Sequence, residues 1–235
     1  MKPERLPEYL AEIDDLKKRY TDIEIYAGLE VDYVPGQINP DQFATQLDYT
    51  IGSVHFVDQF ENGQRWEIDG SHQLFLDGLN QIFNNDIRAV IDRYFELTRA
   101  MATHHTPDVI GHLDKIKIQN IGNKFFSEAD DWYDQMVEQT LLAIRQSGSL
   151  IEVNTRGIYQ KKTDDTYPDA RTLASIHRLG IPITVNSDAH HSRDLINCFG
   201  DTFARLQKIG FTELHVLSEG VWKPFPFDAS GLKIS

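Results

Sequence analysis

Cysteine is almost missing from this 235-residue chain. Cys198 stands alone, so no internal disulfide can form, which points to a reducing compartment. Long apolar runs are missing too: none reaches the roughly 20 residues needed to cross a bilayer. The opening MKPERLPEYL has charges and prolines where a secretory signal needs an apolar stretch. These absences together lead to the expectation of a cytoplasmic protein with no membrane partner. Cations are scarce: Lys+Arg 23 against Asp+Glu 36 leaves a net charge of −13, and the lysine pairs at 17–18 and 161–162 are too small to make a basic patch. Nucleic acid is therefore not expected as a partner. A small phosphorylated substrate remains compatible, provided a metal or a local arginine offsets its charge. Internal repeats, low-complexity tracts and long linkers are absent as well, so one domain over residues 1–235 is the expectation.

What is present is ordinary globular material, 40% hydrophobic and 25% charged, and long enough to bury a core without a disulfide or a structural metal. Apolar residues at spacings of three and four predict helices over 3–20 and 80–103. Further helices are expected over about 127–146, ended by Gly148, over 169–179, ended by Gly180, and near 200–208. Between them, 23–31, 48–56, 108–114, 150–154, 182–187 and 212–217 read as strands. Alternating strands and helices argue for parallel βα units.

These strands end in a consistent way. The first finishes Gly28-Leu29-Glu30, the second Gly52-Ser53-Val54-His55 and the third Gly111-His112-Leu113-Asp114. The fourth ends Glu152-Val153-Asn154, and the fifth runs Asn186-Ser187-Asp188-Ala189-His190. Any one histidine here reads most simply as an ordinary hydrogen-bonded imidazole, and Asp188 as a turn or capping residue. Polar endings on five buried strands fit a barrel whose C-terminal rim holds an active site. Imidazoles and carboxylates converging there form a cage for zinc, iron or manganese. Glu30 has the chemistry to bridge two cations, and paired cations activate water and neutralise a phosphoryl oxygen. Metal-assisted phosphoester hydrolysis follows as the reaction class. His72, His104, His105, His177 and His215 read as structural, and Cys198 as a small buried hydrophobe.

GLEVDY (28–33), GSVHFVD (52–58), GHLD (111–114), IEVNTRG (151–157) and SDAHH (187–191), with Tyr167-Pro168 beyond, resemble the histidinol-phosphatases of the PHP superfamily over essentially the whole chain. The resemblance implies a distorted seven-stranded α/β barrel of TIM type and up to three divalent metal ions, Zn, Mn or Fe. It implies hydrolysis of L-histidinol phosphate to L-histidinol and phosphate, the penultimate stage of histidine biosynthesis. It assigns Glu30 as bridging carboxylate, His55 and His112 as ligands of one metal, Asp188 of another and His190 of the third. Catalytic roles fall to Asp188, His190 and Arg156. Arg156 contacts the substrate phosphate, Asn154 orients substrate or water, and Asp114 supports an imidazole. Two alternatives stay open: a phosphoesterase of another small substrate, and a metal-binding fragment without catalysis.

One departure stands out. The family begins with a strand carrying His-x-His and a second ending Asp-His, yet no His-x-His occurs here and only 27 residues precede Gly28. At roughly 30 residues per βα unit, most of two units is absent. The expectation is a barrel incomplete at its N-terminal side, with Met1 an internal methionine of a longer protein and this chain alone a poor enzyme.

Overall fold

The computed structural model describes residues 3–233. After a 3-10 turn at Pro3–Arg5, the expected first helix is α1 (Leu6–Arg19), and its Tyr9 hydroxyl donates to the carbonyl of Gly28 at 2.7 Å. That bond ties α1 to β1 (Gly28–Asp32), which is followed by the short α2 (Asp41–Ala44) and β2 (Tyr49–Ser53). A hairpin of β3 (Phe56–Gln59) and β4 (Arg65–Glu67) comes next. The helix expected over 80–103 starts later, as α4 (Ile87–His104), and residues 80–81 end a separate helix, α3 (His72–Gln81). The break lies at Asn84 and Asn85, both left-handed (φ 49° and 64°), after which Asp86 caps α4 by accepting from Ala89 N–H. Asparagine tolerates that backbone region well, which is why the chain turns there despite an apolar stripe.

The chain continues through β5 (Val109–Ile110), α5 (Asp131–Ser147), β6 (Leu150–Asn154), the one-turn α6 (Arg156–Tyr159), α7 (Ala170–Leu179) and β7 (Ile183–Asn186). Gly148 and Gly180 close α5 and α7 in the left-handed conformation (φ 82° and 65°). Then come α8 (Phe199–Ile209), β8 (Glu213–Ser218), β9 (Val221–Asp228) and β10 (Gly231–Leu232).

Five strands form one parallel sheet in the order β1-β2-β5-β6-β7. The amphipathic helices bury their stripes against it. Val90, Ile91, Phe95 and Met101 of α4, Leu141 and Ile144 of α5, and Leu173 and Ile176 of α7 are all essentially solvent-free. The parallel α/β architecture is as expected, but among the described residues the sheet does not close into a barrel. β8 lies beside β7 but spends its ladder on β9, because Glu219 and Gly220, both with positive φ, form a two-residue turn that sends the chain straight back. The turn reaches the far edge instead. Glu219 and Gly220 N–H groups donate to the Glu24 carboxylate and the Tyr26 hydroxyl just ahead of β1, and Trp222 packs edge-on against Tyr49.

Candidate metal centre and phosphate pocket

The registers of β1, β2, β5, β6 and β7 bring their C-terminal ends to one rim of the sheet, around a cavity of about 300 Å³. Glu30 projects into it from β1. Its Oε1 accepts from Ser53 Oγ at 2.7 Å and meets His112 Nε2 at 2.9 Å, with His55 Nε2 at 3.8 Å. A Cβ at Gly111 would lie 2.4 Å from Ser53 Oγ. Glycine there makes room for the hydroxyl that holds Glu30. Just beyond it the chain leaves β5, and His112 takes a left-handed φ of 23°, secured by its N–H donating to Glu152 at 2.8 Å. Sparsely populated backbone conformations of this kind are kept only where surrounding contacts enforce them.

One ligand atom from each of Glu30, His55 and His112 lies within 4.8 Å of the other two. The donor set suits a divalent cation. Asp32, two residues along the same face of β1, accepts from His55 Nδ1 at 2.5 Å. A carboxylate can only accept, so Nδ1 carries the proton and the Nε2 lone pair faces Glu30. A carboxylate behind a histidine is the arrangement that orients metal-ligating imidazoles. The Nδ1 of His112 is buried with no hydrogen-bond partner among the described residues. Burial works against ionisation of Glu30, yet the hydrogen bond and charge of His112, with His55 and Ser53, hold its carboxyl far below the ordinary glutamate value. Burial likewise opposes protonation of His55, but the Asp32 hydrogen bond more than offsets this and its pKa is raised.

Asp188 and His190 stand apart from this trio and gather around Arg156. The Arg156 guanidinium contacts the Asp188 carbonyl and His190 Nδ1, and lies 3.5 Å from the Asp188 carboxylate. Asp188 holds a left-handed φ of 49°, with Tyr159 of α6 donating to the preceding carbonyl, that of Ser187, at 2.8 Å. Asn154 joins the two groups: its Nδ2 is 3.1 Å from Glu152 and 3.4 Å from Asp188. Glu152 is fully buried under the floor, where Asn186 also donates to it, and burial raises its pKa. Asp114 does not support an imidazole. Its carboxylate turns the other way, to Lys117 at 2.7 Å and the Asp169 N–H at 3.1 Å, because the left-handed turn at His112 sets the two side chains on different sides.

Several pocket residues carried no clear sequence signal. Glu67 ends β4, Asp69 comes from the β4–α3 connection, Lys115 from the 3-10 turn after GHLD, and Tyr167 from the loop between α6 and α7. Asp32 was legible in principle, since residues two apart share a strand face. The other histidines lie elsewhere: His105 pairs with Asp41, His72 with Gln119 and Lys124, and His177 packs on Phe211. Cys198 is half-buried at the start of α8. Among the described residues no helix is long and apolar enough to cross a membrane.

Known proteins resemble the chain as follows. A model of the PHP domain matches residues 2–156. The histidinol-phosphatase of Bacillus subtilis is 27% identical over 206 residues, covering 81% of this chain and 72% of that protein. The crystal structure of HisK from Listeria monocytogenes superposes with a TM-score of 0.71 at 22% identity, over 86% of this chain and 77% of its own. Histidinol phosphate phosphatase from Lactococcus lactis, complexed with Zn, L-histidinol and phosphate, gives 0.62 at 20% identity, over 97% and 80%. At these identities the two structures speak for the fold.

Proposed function

The chain belongs to the PHP domain family, and from that premise we propose that it is a divalent-metal-dependent phosphatase of L-histidinol phosphate. The observation that carries this reading is the meeting of Glu30, His55 and His112 in one cavity with Arg156. The names of the relatives, and the Zn, histidinol and phosphate held by the Lactococcus protein, support the substrate and the metal class. Carboxylate and imidazole donors suit Zn, Mn and Fe alike. In this reading the chain works in the cytoplasm, within histidine biosynthesis, as an open, incomplete form of the PHP barrel whose core is the five parallel strands.

Glu30, His55 and His112 hold the cation in this proposal, with Asp32 fixing His55 and Ser53 fixing Glu30. The bound cation supplies Lewis-acid activation of water and neutralises charge on the phosphoryl group. Asp188 and His190 extend the ligand set on the far side of Asn154. Arg156 presents a planar, permanently charged fork to the phosphate, a geometry lysine cannot match. Asn154, bonded to Glu152 and Asp188, keeps the two halves in register. The rim is also acidic. Glu30, Asp32, Glu67, Asp69 and Asp188 line it, and so many carboxylates favour a phosphate ester whose organic part is cationic, as an amino-alcohol phosphate is.

Phosphate release by the 235-residue chain, with Mn, Zn or Fe supplied and simple phosphomonoesters run alongside, tests the proposal. Turnover selective for histidinol phosphate is expected, and slow, because no His-x-His ligand pair occurs in the chain. Equal turnover of every monoester moves the reading to a general phosphoesterase. Metal binding without any turnover makes the chain a metal-binding module.

A further inference from the structure

Lys115 enters the cavity from the 3-10 turn that follows His112 and has no role in the site as described so far. Its ammonium lies 2.7 Å from Asp69 Oδ2 and 3.2 Å from His55 Nε2, and its side chain is mostly shielded, at 14% exposure. It stands on the His55 side of the pocket as Arg156 stands on the Asp188 side, and both line the same cavity. We propose that Lys115 is a second substrate-phosphate cation, positioned by Asp69, which holds the phosphoryl group from the side opposite the Arg156 contact. This rests on the phosphatase reading and adds to it a binding residue.

The donor count carries the argument. An ammonium has three N–H donors. Asp69 takes one and the His55 Nε2 lone pair takes a second. That lone pair is the one a cation held by Glu30, His55 and His112 requires, and two positive charges cannot share it. Metal loading therefore releases the Lys115 donor from His55, while Asp69 keeps the ammonium in the pocket with two N–H groups unspent. An anionic oxygen next to the metal is the group that satisfies them. A plain Asp69–Lys115 ion pair is the simpler reading, and it differs in a measurable way: it gives Lys115 no competition with metal and no contact with phosphate.

The test titrates inorganic phosphate by calorimetry into the Mn-loaded chain, for wild type, Lys115→Met and Lys115→Arg, and separately titrates Mn into each metal-free protein. A lost charge-assisted hydrogen bond corresponds to a rise of roughly 10- to 100-fold in the phosphate dissociation constant for Lys115→Met. Lys115→Arg should regain part of it. Mn should bind Lys115→Met at least as tightly as wild type, because the competing ammonium is gone. Unchanged phosphate affinity in Lys115→Met overturns the proposal. Joint loss of Mn and phosphate binding overturns it as well, since that is the mark of a structural ion pair. A wild-type chain that takes up Mn yet binds no phosphate refutes the phosphatase reading itself.

Discussion

Replacing Lys117 by Met tests whether the ground beneath the metal centre is held by charge. The Lys117 ammonium, 8% exposed, is the one cation among three carboxylates: Asp169 at 2.5 Å, Asp114 at 2.7 Å and Glu128 at 3.3 Å. Asp114 is wholly buried. Among the described residues its Oδ1 has no partner, and without Lys117 the carboxylate keeps one donor, the Asp169 N–H. Removing one partner of such a cluster leaves uncompensated buried charge, at about 3–5 kcal/mol, or a Tm fall of roughly 6–20 °C for a domain of this size. Burial pushes the Asp114 carboxyl up to about 6 even with Lys117 pulling it down and Asp169 adding to the rise. Deleting Lys117 raises it further. A carboxyl whose folded pKa lies above its unfolded value binds more protons in the folded state. The variant's stability must therefore fall as pH rises from about 4 to beyond 6, and part of the loss returns on acidification. Urea denaturation at pH 5 and pH 8 reads both effects, and adding Asp114→Asn should recover much of the deficit. A loss below about 1 kcal/mol at pH 8, the range of an exposed pair, or a loss that does not shrink at pH 5, refutes the reasoning.

Other expectations follow from single contacts. Glu30→Gln keeps the shape of the side chain but removes the charge facing both imidazoles, so Mn or Zn affinity measured against a chelating dye should fall by 10-fold or more. An affinity equal to wild type would remove Glu30 from the ligand set. Arg156→Lys keeps the charge but loses the planar guanidinium, whose Nη1 meets both Asp188 and His190 and whose remaining N–H groups are left for a phosphate. The KM for the phosphate ester should rise by about 10-fold, with metal content unchanged by elemental analysis. Gly78→Ala places a Cβ 2.2 Å from the fully buried Trp66. Overpacking against so rigid a ring should cost at least about 1–3 kcal/mol, read as a lowered thermal midpoint, and an unchanged midpoint would mean that Trp66 can move.

The elements that the sequence made legible are those whose signal is local. The stripe Val90, Ile91, Tyr94, Leu97, Met101 marks α4, LIEVN is β6 residue for residue, and Gly148 and Gly180 end α5 and α7 where they were expected to. The misses come from competition between signals. Apolar spacing runs on through Leu79 and Ile82, but the Asn84-Asn85-Asp86 turn overrides it and divides the helix. GHLD continues the strand pattern of Val109 and Ile110, but Glu152 captures the His112 N–H and the ladder stops. The β9 strand holds Pro224 and Pro226, which argue against a strand. They are tolerated here because β10 pairs only with Phe227 and Asp228, so along Pro224 and Pro226 the strand is laddered to β8 alone and its other edge is free of a strand partner among the described residues.

The site divides along the same line. Glu30, His55 and His112 could be picked out because each is a polar residue at the end of an apolar strand, a pattern that a single sequence displays. Asp69 and Lys115 could not, because what makes them part of the pocket is a meeting between the β4–α3 connection and the turn after His112, and no spacing within either segment encodes it. Asp114 shows the converse. Its place two residues after His112 suggested service to an imidazole, but a left-handed residue between strand and turn breaks the alternation on which that inference depends. Asp114 serves the site from below instead. By accepting the N–H of Asp169, the residue whose side chain caps α7, it binds the His112 turn to the loop that carries Tyr167 into the cavity wall. Lys117 neutralises the carboxylates that meet at this junction. The position of His112, one of the three candidate metal ligands, is thus secured by a buried ion cluster that itself lies outside the candidate pocket.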